Sequence, residues 1–338
     1  MAASGVTTLS RWCFGSPLLA AIVGLVVASC ILKNARDERK EDMKELVIIS
    51  GKGGTGKTSL TASFAALALD AVLADCDVDA ADLHVLLHPD IQQRTEFKSG
   101  LTATIDPGRC TQCGLCREVC RFDAIDASYI VNPFACEGCK VCVQQCPAHA
   151  IDTHENVCGE WYISATQYGP MVHARLGVAE ENSGKLVAIV RQQARKLAEE
   201  QHKDLLIIDG PPGIGCPVIS ATTGTDLVLV VTEPTLSGLH DLKRVAELTE
   251  HFKIPACVCV NKFDINPEMT QQIKAYCQER HVAYIGELPY DTTAIKAVVR
   301  RMPVVELTDT DLARRIRELW IRLKSLTRRV HSSGTCEP

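Results

Sequence analysis

The 338-residue sequence carries no excess of positive charge: 36 Lys and Arg stand against 41 Asp and Glu, a net charge of -5. Binding along a phosphate backbone needs clustered cations, so nucleic acid is not an expected partner. Nor is the composition that of a disordered or fibrous chain, because 46% of the residues are hydrophobic and 23% charged. What the sequence has in quantity is cysteine, 17 residues. A disulfide framework in a secreted protein would account for that number. A chain of this length, however, buries enough apolar surface to fold without covalent staples, and eight of the cysteines fall in two runs with metal-ligand spacing. The pattern implies a reducing compartment, and the expected location is the cytoplasm.

Those runs are Cys110, Cys113, Cys116, Cys120 and Cys136, Cys139, Cys142, Cys146, both spaced C-x₂-C-x₂-C-x₃-C. Short intervals let three thiolates of one loop wrap a cubane face, while the fourth cysteine of each run ligates the other cluster. Cys110, Cys113, Cys116 and Cys146 are thus expected to hold one 4Fe-4S cluster, and Cys136, Cys139, Cys142 and Cys120 a second. Zinc is the competing reading, but structural zinc takes four ligands from two separated pairs. The flanks repeat too, Arg121-Phe122-Asp123-Ala124-Ile125 against Pro147-Ala148-His149-Ala150-Ile151, and the whole segment resembles a bacterial two-cluster ferredoxin. Arg121 departs from the proline usual at that place in the resemblance. Of the other cysteines, Cys257 and Cys259 alternate in a buried strand and are read as packing.

Glu45-Leu46-Val47-Ile48-Ile49-Ser50 has the apolar, β-branched character of a buried parallel strand. Gly51-Lys52-Gly53-Gly54-Thr55-Gly56-Lys57-Thr58 follows, matching G-x-x-x-x-G-K-[ST], and the stretch from Ser59 to Leu69 reads as a helix. Glycines let backbone N–H groups turn towards phosphates, Lys57 supplies a point charge, and Thr58 offers its hydroxyl to Mg²⁺. ATP and Mg²⁺ are therefore expected cofactors.

The early Lys52 makes this loop resemble the deviant phosphate loop of the MinD, ParA, Mrp and nitrogenase-reductase superfamily. The resemblance implies a homodimer in the ATP-bound state, with Lys52 reaching the nucleotide of the other copy. It also implies roles for two aspartates: Asp77, in Asp75-Cys76-Asp77-Val78-Asp79 after the apolar run Ala71 to Ala74, positions water, and Asp209, which closes the apolar run Leu205 to Ile208 before Gly210-Pro211-Pro212-Gly213, holds Mg²⁺ through a water. The expected catalytic set is Lys52, Lys57, Asp77 and Asp209, for ATP hydrolysis that is weak or stimulated by a partner. Asn261 and Asp264, in Asn261-Lys262-Phe263-Asp264, look like a base-recognition segment, though Asn and Asp are also ordinary turn residues.

These pieces give an α/β fold with a doubly wound, mostly parallel sheet, interrupted by an inserted small α+β ferredoxin-type domain. The nucleotide domain is expected over 43–100 and 156–330, the insert over 101–155, and a tail over 331–338. Trp12 to Leu32 is an uncharged apolar run of 21 residues followed by Lys33, Arg36, Arg39 and Lys40. It is long enough to span a bilayer and oriented to anchor the rest on the inner face of the membrane. A true start at Met43, with no anchor, is the alternative, and both stay open. Leu312, Ile316, Leu319, Trp320, Leu323 and Leu326 form an apolar helical stripe, expected to cover the protein's own core rather than a membrane.

Three functions compete: nucleotide-gated electron transfer with an unknown redox partner, cluster assembly or carriage for an unknown client, and membrane-cycling positioning. The Mrp-like carriers use a C-x-x-C pair outside any ferredoxin unit, and the C-terminal half here has none. Electron transfer is the favoured expectation.

Overall fold

The computed structural model describes residues 43–177, 183–307 and 309–333. The apolar run from Trp12 to Leu32 and the end of the expected tail, 334–338, lie outside them.

The chain enters at β1 (Lys44–Ser50), whose Leu46, Val47, Ile48 and Ile49 are almost completely buried. A strand apolar on both faces must be covered by helices on both sides, and each such side chain contributes about 1.5–3 kcal/mol by leaving water. Next come α1 (Lys57–Ala68), β2 (Val72–Asp75) and the short α2 (Leu83–Leu87), then two strands of unusual length, β3 (Asp90–Ile105) and β4 (Ile151–Thr166). Between β3 and β4 lie α3 (Leu115–Glu118) and α4 (Val141–Gln145); β5 (Gly169–Leu176) follows β4. The rest alternates: α5 (Ser183–Glu200), β6 (Leu205–Pro212), α6 (Cys216–Thr222), β7 (Leu227–Thr232), α7 (Leu236–His251), β8 (Ala256–Asn261), α8 (Pro267–Glu279) and β9 (Ala283–Leu288). Three helices close the described chain: α9 (Thr292–Val299), α10 (Val304–Leu307) and α11 (Asp311–Ser333), which runs past residue 330 into the stretch expected as tail.

Among the described residues the nine strands form one sheet in the order β3-β4-β5-β2-β6-β1-β7-β8-β9. The strands from β5 to β9 in that order are parallel, whereas β4 runs against both its neighbours. In register, Asp209 of β6 lies beside both Ile48 of β1 and Asp75 of β2. The phosphate loop and both aspartates thus meet at the carboxyl ends of adjacent strands, where open α/β sheets bind ligands.

β3 and β4 pair from Asp90 with Ala165 to Ile105 with Ile151, with three register shifts along the way. This stem carries the cysteine-rich segment at its far end and includes stretches assigned from sequence to the insert, 101–105 and 151–155. Trp161 to Thr166 form the end of β4, and β5 follows after a two-residue turn. The apolar stripe of α11 packs inward: Leu312, Ile316, Leu319, Trp320 and Leu323 are buried and Trp320 stacks on Phe64 of α1, centroids 5.1 Å apart. Cys257 and Cys259 are fully buried in β8. Among the described residues, no helix is long and apolar enough to cross a membrane.

Candidate functional site

The loop after β1 can wind as it does because Gly54 and Gly56 sit at φ +78° and +87°, a region that side chains disfavour. At Gly56 an added Cβ would also come within 2.6 Å of the Asn261 amide nitrogen. Lys57 opens α1 with its ammonium turned inward and buried: Nζ lies 2.9 Å from Oδ1 of Asp209 and 3.3 Å from Oδ2 of Asp77. Thr58 Oγ1 donates to Asp209 Oδ2 at 2.7 Å, and Thr61 Oγ1 lies 2.8 Å from Asp209 Oδ1. Ser59 follows in the same helical turn. Gly213 N–H donates to Ser50 O at 2.8 Å, tying the loop after Asp209 to the start of the phosphate loop.

Asp75, which sequence reasoning passed over, is fully buried beside this group. Its Oδ1 accepts from Asp77 N at 3.2 Å and its Oδ2 from Leu83 N at 3.1 Å. Two carboxylates therefore share one ammonium, with a third buried beside them. Burial, reinforced by Asp209, pushes the Asp75 carboxyl well above the usual range. Burial and Asp209 likewise raise Asp77 against the pull of Lys57. Burial alone would lower Lys57, but Asp209 and Asp77 outweigh it and the net shift is upward. A cluster short of positive charge, with a hydroxyl at Thr58, has the donor chemistry of a hard divalent cation such as Mg²⁺.

Lys52 stands at the outer side of the loop, 3.1 Å from Oε2 of Glu233, whose other oxygen takes Lys262. Burial alone would raise Glu233; hydrogen bonds from Lys262 and Lys52 hold it below the usual range. Glu233 was missed from sequence, where its only signal is its place just after β7. Asn261 Nδ2 donates to Thr55 O at 2.8 Å and Oδ1 accepts from Lys262 N at 2.9 Å, so this side chain braces the phosphate loop. Asp264 is elsewhere: Oδ1 accepts the N–H of Tyr290 at 2.7 Å, joining the segments after β8 and β9. Lys57, Thr58, Asp77 and Asp209 thus converge, Asn261 abuts them, Lys52 is held to one side, and Asp264 makes its contact away from the carboxylates.

At the end of the stem the two cysteine runs fold as matching repeats. Cys110 N donates to Asp106 O and Cys136 N to Asn132 O, at 3.0 and 3.1 Å. Ala124 N donates to the sulfur of Cys120 at 3.4 Å and Ala150 N to that of Cys146 at 3.3 Å. Gln112 and Gly138, Gly114 and Lys140, and Asp123 and His149 all take positive φ at matching places. Gly138 is pressed against the carbonyl of Leu101, where any side chain would collide, so the second run is seated on β3.

Two cavities open inside this segment. One is lined by Cys110, Cys113, Cys116 and Cys146, the other by Cys120, Cys136, Cys139 and Cys142. Each combines three thiols of one run with the fourth of the other. Apolar walls separate them, with Ile105, Leu115, Tyr129 and Ile151 around the first and Ala103, Phe122, Ile125 and Val131 around the second. All eight thiols are free. Among the described residues, no three His, Cys, Asp or Glu side chains are grouped so as to hold a single metal ion.

A family model described as the CobQ/CobB/MinD/ParA nucleotide binding domain matches residues 46–304. An uncharacterized protein of Methanocaldococcus jannaschii is 34% identical over 283 residues, covering 83% of this chain and 96% of its own. An iron-sulfur cluster carrier protein of Pyrococcus horikoshii is 26% identical over 145 residues, 39% of this chain and 48% of that one. In fold, the chain is similar to the septum site-determining protein MinD of Pyrococcus horikoshii solved with Mg-ADP, with TM-score 0.52 at 19% identity, over 84% of this chain and 97% of that one.

Proposed function

The chain belongs to the CobQ/CobB/MinD/ParA family of nucleotide-binding domains, and from that premise we propose that it is an ATPase whose nucleotide state governs electron transfer through two 4Fe-4S clusters. The observation that carries the reading is the crossed grouping of eight thiols around two walled cavities, on a stem built into the nucleotide-binding sheet.

The thiols fit the groups. Cys110, Cys113, Cys116 and Cys146 would hold one cluster and Cys136, Cys139, Cys142 and Cys120 the other, in the sharing pattern of two-cluster ferredoxins. Bound there, such clusters store and pass single electrons at low potential. The protein's part is to exclude water with the apolar walls and to aim the N–H groups of Ala124 and Ala150 at ligand sulfur, which eases reduction.

In the nucleotide domain, Lys57 is the cation that phosphates would draw from Asp209 and Asp77, leaving those carboxylates with Thr58 to face Mg²⁺ and a water nucleophile. Asp77 is the water-positioning residue of this reading and Asp209 the outer partner of Mg²⁺. Lys52, once released by Glu233, would reach the nucleotide of a second copy, so the ATP-bound form is a homodimer. Hydrolysis then reverses the switch.

The test is anaerobic purification and electron paramagnetic resonance with and without ATP and Mg²⁺, starting from about eight irons per chain. A signal or potential that responds to nucleotide, and stops responding in Lys57→Ala, supports coupling. Intact clusters indifferent to nucleotide would favour cluster carriage, the reading supported by the partial likeness to an iron-sulfur cluster carrier protein. Membrane cycling gains nothing from the C-terminal stripe, which is buried against α1.

A further inference from the structure

One short stretch of chain joins the Asp75–Asp77 side of the nucleotide site to the cysteine-bearing stem. β2 ends at Asp75, α2 begins at Leu83, and only His88 and Pro89 separate α2 from β3. Asp75 clips this stretch at two points by accepting from Asp77 N and Leu83 N. Any movement of Asp77 away from Lys57 is therefore felt at α2, and α2 is the root of the stem.

The other strand of the stem returns to the same place. β4 leads into β5, and in register His173 of β5 stands between Asp75 of β2 and Tyr162 of β4. His173 is 7% exposed. Tyr162 stacks on it with centroids 4.9 Å apart and planes 27° from parallel, and His84 of α2 stacks at 6.4 Å and 9°. Nε2 of His173 hydrogen-bonds Ser164 Oγ at 2.9 Å. Burying an imidazole costs free energy unless its nitrogens are paired, yet none of its contacts serves the phosphates or the thiols.

We propose that the His84–His173–Tyr162 stack is the joint through which the nucleotide-facing segment positions the cysteine-bearing stem, with His173 as the positioning residue. The three rings come from α2, β5 and β4, so they clamp the segment that follows Asp77 onto the returning strand of the stem. Packed elements of this kind have discrete arrangements rather than a continuum, and a shift of α2 must either carry β4 with it or break the stack. The inference rests on the proposed coupling of nucleotide state to the clusters.

The test measures ATP affinity of the full chain in the oxidised and the dithionite-reduced states; the ratio of the two affinities is the coupling factor, equal by linkage to the effect of ATP on cluster reduction. A wild-type factor of about fivefold or more is expected, within the usual range for coupled sites. His173→Ala should bring it close to one while iron content and ATP affinity of the oxidised state stay as in wild type. His84→Ala removes an exposed ring without opening a cavity and should reduce the factor in the same direction, so misfolding of the His173 variant does not shelter the inference. Unchanged coupling in a folded His173→Ala, or in His84→Ala, overturns the joint and leaves the proposed function standing. A wild-type factor of one overturns both.

Discussion

Lys57 and Asp209, far apart in the chain, meet as a buried ion pair at 2.9 Å, with Asp77 second to the ammonium at 3.3 Å and Asp75 sealed behind them. One cation is set among three carboxylates, and the imbalance has consequences that can be measured.

Removing Lys57 strands the carboxylates. Lys57→Ala is expected to destabilise the nucleotide-free protein by about 3–5 kcal/mol, the cost of leaving buried charge uncompensated. It should also weaken ATP binding by about 2–5 kcal/mol, a factor of roughly thirty or more. Denaturant unfolding and calorimetric titration with ATP read the two effects separately.

Asp77→Asn should act in the opposite direction on stability, because burial and Asp209 already disfavour the Asp77 carboxylate. A higher melting temperature without nucleotide, together with loss of ATP hydrolysis, is the expected outcome in thermal unfolding and phosphate-release assays.

Glu233 holds Lys52 within its own chain. Partly exposed pairs of this kind are worth about 1 kcal/mol or less, so Glu233→Gln is expected to raise the ATP-dependent dimerisation constant by up to about fivefold. Sedimentation equilibrium across a concentration series, with and without ATP, measures it.

The crossed thiol groups predict that a cysteine of one run and three of the other behave as a unit. Cys120→Ser and Cys139→Ser should lose about half of the roughly eight irons and leave the same residual paramagnetic signal, distinct from that left by Cys146→Ser or Cys113→Ser. Pairing of Cys120 with Cys113 instead would refute the assignment.

His173 makes stability depend on pH. Burial, and then His84, push its pKa down from 6.5 to about 4. Between those values the unfolded chain takes up a proton that the folded chain refuses. Stability is therefore fully retained above pH 6.5 and falls as pH drops, by about 3 kcal/mol at the lower limit. The groups that touch the ring are His84, Tyr162 and Ser164, and Asp75 is its register partner on β2, with its oxygens taken by Asp77 N and Leu83 N. His173→Gln should flatten the dependence in unfolding measured from pH 7 to 5.

Much of the nucleotide fold was legible beforehand because its signals are local. Strands near 205, 227, 256 and 283 follow from short apolar runs, and the inward face of α11 from its helical stripe. The stem was not legible: β3 reads Asp90-Ile91-Gln92-Gln93-Arg94-Thr95-Glu96, almost wholly exposed, and gives no apolar alternation to mark it. Its pairing with β4 is set by partners separated by the entire cysteine-rich segment. Asp75 could have been noticed as the last residue of an apolar run, whereas Glu233 and His173 had no spacing to betray them.

By itself the sequence determined what is written in short intervals: the phosphate loop, whose glycines and lysine act within one turn of chain, and the two cysteine runs, whose spacing alone brings three thiols to one loop. Only the tertiary structure decided what depends on strands meeting across long separations. It gathered Asp209 and Asp77 onto Lys57 with Asp75 behind them, set Glu233 between Lys52 and Lys262, and stacked His173 between the two ends of one excursion. Register in a sheet is fixed by the packing of both faces at once, and no single interval in a chain encodes it.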